Sequence, residues 1–199
     1  MNSTHWPLAG VAALLLTMQA QAADGQTIYA EGGANPAAMA CATCHGADAM
    51  GMAAAGFPRL AGIAAGYSRK QLEDFRSGAR SNPIMQPIAA QFERDDMLAI
   101  AEYLSQKPWP DLGQPRAAKD VAAKAQSASA SVGCPACHLD RFQGDGTVPR
   151  LAGMGRDYLA KTIADFRTRA RGNNPGMSDL MLATSPDDLA ALVEYLAGL

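Results

Sequence analysis

Aromatic residues make up only 6% of the 199 residues, and cysteine and histidine are scarcer, with four and three copies. With 48% hydrophobic residues but so few large rings, the chain can close one ordinary core or two small ones of under about 100 residues each. Neither sign of charge dominates. Seventeen Lys and Arg against nineteen Asp and Glu leave a net charge of −2, so there is no global basic field to hold nucleic acid. No apolar run approaches the ~20 residues of a bilayer-spanning helix. The short apolar stretch from Leu8 to Thr17 leads into Ala20, Gln21 and Ala22, an A-x-A cleavage pattern, and predicts an export signal over residues 1–23. No Lys or Arg precedes that stretch, so its positive charge comes from the α-amino group and His5. The mature chain is expected to start near Ala23 or Asp24.

Removing the signal leaves only His45 and His138, with cysteines at 41, 44, 134 and 137. All six fall inside two C-x-x-C-H strings, Cys41-Ala42-Thr43-Cys44-His45 and Cys134-Pro135-Ala136-Cys137-His138.

The chain is one unit written twice. Pro58-Arg59-Leu60-Ala61-Gly62 recurs as Pro149-Arg150-Leu151-Ala152-Gly153, an offset of 91, and Tyr67 matches Tyr158 in the same register. Asn82, Pro83 and Met85 recur as Asn174, Pro175 and Met177 at an offset of 92, as does Glu102-Tyr103-Leu104 as Glu194-Tyr195-Leu196. The C-x-x-C-H strings are offset by 93. Such small drifts are loop insertions and deletions between homologous domains. The first domain is expected over residues 24–106 and the second over 115–199. Between them Lys107, Pro108, Trp109, Pro110, Asp111, Leu112 and Gly113 break helical periodicity, placing a linker at 107–114. Trp109, between two prolines, is expected to pack the linker on a domain surface.

Strand signals are nearly absent, so the fold class is all-α. A helix is predicted over Ser68–Ala79, capped by Ser68, with Leu72 and Phe75 at helical spacing. Its counterpart carries Leu159, Ile163 and Phe166. The last helix of each unit is expected to follow an acidic pair, Asp95-Asp96 or Asp187-Asp188, which suits the positive helix terminus. The Ala- and Lys-rich stretch from Pro115 to Ser131 predicts a helix opening the second domain, with Gln126–Ser131 read as a mobile loop.

In a helical turn, C-x-x-C-H brings two sulfurs and an imidazole together at i, i+3 and i+4. That arrangement suits covalent haem: thioethers from Cys41 and Cys44, or Cys134 and Cys137, with His45 or His138 on the iron. Two rival chemistries fit less well. Zinc would need a complete ligand set, and disulfide exchange would not need His after each pair. With both histidines used and no cysteine spare, methionine is the candidate sixth ligand. Met39, Met50 and Met52 lie too near the attachment strings to cross to the opposite face. Met97 aligns with Leu189 and Met154 with Ile63, so both read as core. Met85 and Met177 align with each other, each two residues after Asn-Pro, and are the expected ligands, with Met181 in reserve. His/Met ligation fills both axial positions and favours outer-sphere electron transfer over catalysis.

Through C-A-T-C-H-G at 41–46, P-R-L-A-G, the Tyr67–Arg80 helix, N-P-I-M at 82–85 and the recurrence of most of these, the chain resembles the dihaem cytochrome c4 family over nearly its whole mature length. The resemblance implies two class I cytochrome c folds related by a pseudo-twofold axis, with haem edges facing each other. It also implies two covalently bound haem c groups and periplasmic electron delivery among redox proteins such as a terminal oxidase, a quinol-oxidising complex or a dehydrogenase. The alternative it leaves open is an electron-accepting subunit of a periplasmic dehydrogenase complex of flavocytochrome c type. It further suggests that the carbonyls of Pro58 and Pro149 orient the two imidazoles. The second unit departs from the pattern: Leu139 replaces Gly after His138, the loop to Pro149 is two residues shorter, and the opening helix is atypical.

Arg59 and Arg150 are read either as propionate partners or as exposed arginines repeated by shared descent. Lys161, Arg167, Arg169 and Arg171 read as a solvated helix face, or alternatively as a basic patch steering an acidic partner.

Overall fold

A computed structural model describes residues 24–199. The predicted export signal lies outside the described residues. No strand occurs among them; two isolated bridges, Met52 with Phe57 and Asp145 with Val148, close the corresponding loop of each repeat.

The first unit runs α1 (Gly25–Glu31), α2 (Ala42–His45), a 3₁₀ turn (Ala53–Ala55), α3 (Ala65–Ser77), α4 (Met85–Ala89) and α5 (Arg94–Ser105). Both α1 and α3 pack on α5. The approach of α1 to α5 is close enough that a Cβ on Gly25 would sit 2.0 Å from the Ala99 carbonyl oxygen, so only glycine fits there. Ile28, Tyr29, Phe92, Met97, Ile100 and Leu104 form the core. The second unit runs α6 (Lys119–Val132), α7 (Pro135–His138), α8 (Arg156–Arg167), α9 (Pro175–Ala183) and α10 (Pro186–Ala197). Here α6 and α8 pack on α10 over a separate core that includes Leu159, Phe166, Met181, Leu189, Leu192 and Leu196.

Helix α3 starts three residues before the expected Ser68 cap, at Ala65 with Ala64 as the uncapped N-cap residue, and ends at Ser77 where Gly78 turns left-handed. Tertiary packing overrides the local cap signal: Gly66, in the first turn, lies where an added Cβ would come 2.9 Å from the Gly146 carbonyl oxygen of the second unit. The acidic pairs lie inside the first turns of α5 and α10 rather than before them. Glu93 caps α5 in a capping box with Asp96, and Ser185 caps α10 by accepting from the Asp188 amide. The expected mobile loop at Gln126–Ser131 is helical. Ala125, Ala128 and Ser129 are buried, so the low complexity of that stretch reflects small residues chosen for close packing.

Ile63, Tyr67 and Trp109 all pack against the second core, so the two units share an apolar seam. Trp109 lies between the repeats rather than on one domain's surface. Its ring has the Arg59 guanidinium 3.8 Å from its centroid and the Arg150 guanidinium at 4.7 Å. The repeat-related Gly62 and Gly153 (φ +70° and +69°) face it so closely that a Cβ on either would lie 3.1–3.2 Å from the indole. The amides of these two glycines donate to Leu104 and Leu196, each at 2.9 Å, tying the Trp109 cradle to both terminal helices.

Candidate functional site

Each C-x-x-C-H string forms one helical turn. The His45 amide donates to the Cys41 carbonyl at 2.9 Å and the His138 amide to the Cys134 carbonyl at 3.0 Å, which brings each pair of thiols and its imidazole to one short segment. Both rings are buried, and each Nδ1–H donates to the expected proline carbonyl, Pro58 or Pro149, at 2.9 Å. This bond fixes the ring and leaves Nε2 as the only nitrogen that can bind iron. Burial pushes both imidazoles below their usual range, so they stand ready as neutral ligands. No disulfide joins the four cysteines. Burial also raises the Cys41 thiol to about 11, which keeps it a thiol rather than a reactive thiolate. Among the described residues, no group of three or more His, Cys, Asp or Glu is placed to hold a metal ion.

The Asn-Pro-x-Met pattern has a local reason. Asn82 Oδ1 accepts from the Met85 amide at 2.8 Å, and Asn174 Oδ1 from the Met177 amide at 3.2 Å. Asn174 is the N-cap of α9, whereas Asn82 closes the turn before α4, whose N-cap position is Ile84; each methionine stands in the first turn of its helix, half-buried. Met97 and Met154 are core residues as expected. Met181 is also sealed in the second core, at 5% exposure.

The residue after each histidine needs a left-handed backbone. Gly46 has φ 79° and ψ 155°, a region open essentially to glycine alone, and Leu139 holds nearly the same conformation at φ 64° and ψ 168°. The second site thus keeps the first site's backbone path under strain. Its surroundings differ too: Phe57 stands edge-on to His45 with centroids 6.1 Å apart, and Val148 takes the matching place in the second bridge.

Between the units lies a polar cluster that the sequence reading missed. Arg80 donates to the hydroxyl of Tyr158 at 3.2 Å, and Arg171 to that of Tyr67 at 2.9 Å, so each unit's arginine holds the other unit's tyrosine. Both guanidiniums also reach Gln71 Oε1, at 2.9 and 2.8 Å, and Asn173 donates to Gln71 Oε1 and Asp74 Oδ2 at 3.1 and 2.6 Å. Each arginine covers a repeat-related ring, Phe75 or Phe166. Among the described residues neither guanidinium has a carboxylate within ion-pair distance. Two cations whose side-chain hydrogen bonds go only to neutral acceptors fit a cofactor bearing carboxylates, as haem does. The offset of 91 between Arg80 and Arg171, the same as between the tyrosines, was the available signal.

The expected solvated face at 161–171 disperses on folding. Arg171 is buried at 5% exposure, and Arg167 donates to the carbonyls of Met181 and Thr184 at the end of α9, each at 2.7 Å. Lys161 pairs with Asp165 and Arg169 with Asp179, so no basic patch forms either. Arg59 is not exposed: it donates to the Pro110 and Gly153 carbonyls and to Met50 Sδ, which leaves only Nε without a partner.

Residues 22–107 match the family model described as Cytochrome c. The chain is 58% identical to the thiosulfate dehydrogenase electron acceptor of Stutzerimonas stutzeri (strain A1501), over 99% of this chain and 96% of that one. It is 31% identical to cytochrome c4 of Azotobacter vinelandii, over 81% of this chain and 85% of that one. Among solved structures, the thiosulfate dehydrogenase (TsdBA) of Marichromatium purpuratum superposes with a TM-score of 0.73 at 32% identity. That match covers 87% of this chain and 39% of the longer one.

Proposed function

Because this chain belongs to the cytochrome c family, among the tandem dihaem proteins that include cytochrome c4, we propose that it is a periplasmic carrier taking single electrons from a thiosulfate dehydrogenase. It is an electron carrier rather than an enzyme, and its cofactors are two covalently bound haem c groups. The observation that carries the proposal is the 58% identity, end to end, with a thiosulfate dehydrogenase electron acceptor. In this reading residues 24–106 and 115–199 are the two domains and 107–114 the linker. Cys41, Cys44, Cys134 and Cys137 hold the haems, with His45 and Met85 on one iron and His138 and Met177 on the other.

Haem supplies a one-electron couple, and the protein supplies what tunes and orients it. Pro58 and Pro149 fix the imidazoles. The Asn82 and Asn174 side chains accept from the methionine amides and set the two methionines, whose soft thioethers would favour the reduced iron. Arg80 and Arg171 supply positive charge between the two units, where they could donate to the carboxylates of a haem. With His45 and Met85, and His138 and Met177, as ligands, no site would be left at iron for a substrate. A terminal oxidase remains a candidate acceptor of its electrons, and a quinol-oxidising complex a candidate alternative donor.

The test is anaerobic mixing of the oxidised protein with thiosulfate and catalytic thiosulfate dehydrogenase. Both haems are expected to become reduced with the enzyme present and neither with thiosulfate alone; failure of the enzyme to reduce the protein refutes the partner. The match to part of a longer thiosulfate dehydrogenase chain supports a second reading, a fixed subunit of the enzyme. Co-purification at a constant ratio distinguishes that from a diffusing carrier.

A further inference from the structure

The two units differ where their opening helices pack. In the first, Tyr29 of α1 is buried against Tyr103, ring centroids 5.7 Å apart, and its hydroxyl donates to the Gly46 carbonyl at 2.6 Å. In the second, α6 brings no aromatic ring to the corresponding place. Tyr195, the repeat of Tyr103, instead stands edge-on to Phe142 at 6.3 Å and accepts from the Gln126 amide at 3.2 Å. The volume that Tyr29 fills in the first unit is matched by a cleft of about 520 Å³ beside Tyr195, Phe142 and Ala122.

Three arginines from separate segments line that cleft: Arg116 of the linker side, Arg141 of the loop after His138, and Arg150 beside Pro149. Among the described residues none of them has an acidic partner within ion-pair distance, although nine ion pairs form elsewhere. Asp140 also lines the cleft, leaving the arginines in excess by three to one among the charged side chains there. Arg150 donates only its Nε–H, to the Ala152 carbonyl at 3.1 Å. Burial first, and then Arg141, lower its affinity for its proton, so the three positive charges stand against one lining side-chain carboxylate, Asp140.

We propose that this cleft binds a small, multiply charged oxyanion among Arg116, Arg141 and Arg150, and that its occupancy lowers the reduction potential of the second haem. Arg150 follows Pro149, whose carbonyl holds His138, so bound negative charge lies close to that redox centre and stabilises its ferric form. By linkage the ferric protein then binds the anion more tightly than the ferrous protein. A fivefold preference corresponds to a shift of about 40 mV, at 59 mV per tenfold for one electron. The redox half of the proposal rests on reading His138 as the second haem's ligand; the binding half does not.

The test titrates sulfate into the full, haem-loaded protein by calorimetry at constant ionic strength against chloride, alongside the double variant R116Q/R141Q. Both substituted arginines are exposed, so the fold is expected to be unchanged. One saturable sulfate per chain is expected, weakened at least tenfold in the variant. Spectroelectrochemistry should show one haem shifting down by about 40 mV in sulfate, and no such shift in the variant. Absence of saturable binding, or equal binding by the variant, overturns the site. An equal shift of both haems, or none, overturns the redox link. A haem assay finding only one haem per chain identifies a failure of the ligand reading, while the calorimetry still decides the site.

Discussion

Replacing Arg171 with Met and Tyr67 with Phe, singly and together, measures how firmly the two units are joined. Arg171 is buried and gives two charge-assisted hydrogen bonds across the interface, to Tyr67 at 2.9 Å and Gln71 at 2.8 Å. Bonds to a charged donor are worth about 1.5–3 kcal/mol each. Gln71 keeps Arg80 and Asn173 as donors when Arg171 is lost, so the stranded acceptors are Tyr67 and Asn173 Oδ1, both only half-buried. The R171M change is therefore expected to cost about 3 kcal/mol, toward the low end of the combined range. Y67F removes one acceptor while Arg171 retains Gln71 and Asn173, and should cost about 1 kcal/mol. The double variant should fall short of the sum by about 1.5 kcal/mol, well beyond the ~0.5 kcal/mol scatter of independent sites. Denaturant unfolding of the oxidised haem protein followed by circular dichroism supplies all four stabilities. Additivity within that scatter would refute the claim that this pair couples the domains. The repeat-related pair, Arg80 and Tyr158 at 3.2 Å, should show a smaller coupling in the same cycle.

Leu139→Gly relieves a left-handed backbone that leucine adopts at a penalty, and should stabilise the protein by about 1 kcal/mol, read as a raised Tm by calorimetry. Ser185→Ala removes the cap of α10 and should cost about 1 kcal/mol in denaturant unfolding. Met85→Ala and Met177→Ala should each abolish about half of the sulfur-to-iron charge-transfer band in the optical spectrum of the oxidised protein. A band at full strength in either variant would remove that methionine from the ligand set. Trp109→Ala withdraws the ring on which Arg59 and Arg150 both stack, contacts worth about 1–2 kcal/mol each when partly desolvated, and should separate the unfolding of the two units into two transitions.

Local signals accounted for much of the site. C-x-x-C-H closes a helical turn wherever it stands, Asn-Pro-x-Met closes its own turn, and the repeat announces a second copy of each. Where local signals competed with packing, they lost. Ser68 offered a cap, yet α3 begins at Ala65 because the Gly66 backbone must meet the Gly146 loop. The low-complexity end of α6 looked like a loop, yet its small residues are what permit burial against α10.

What the amino-acid order determined by itself, then, were the quantities that depend on near neighbours: helix class, the C-x-x-C-H turns and the count of two units. Only the tertiary structure decided how the units meet. Arg171 and Tyr67 are 104 residues apart, and Arg59 and the Gly153 carbonyl 94 apart, distances over which no periodicity carries information. A buried arginine and a solvated one read alike in sequence, because the difference lies in which desolvated acceptors surround it after folding. The same holds for the cleft beside Tyr195. It exists because a ring present in one unit has no equivalent in the other, and an empty volume has no residue to announce it.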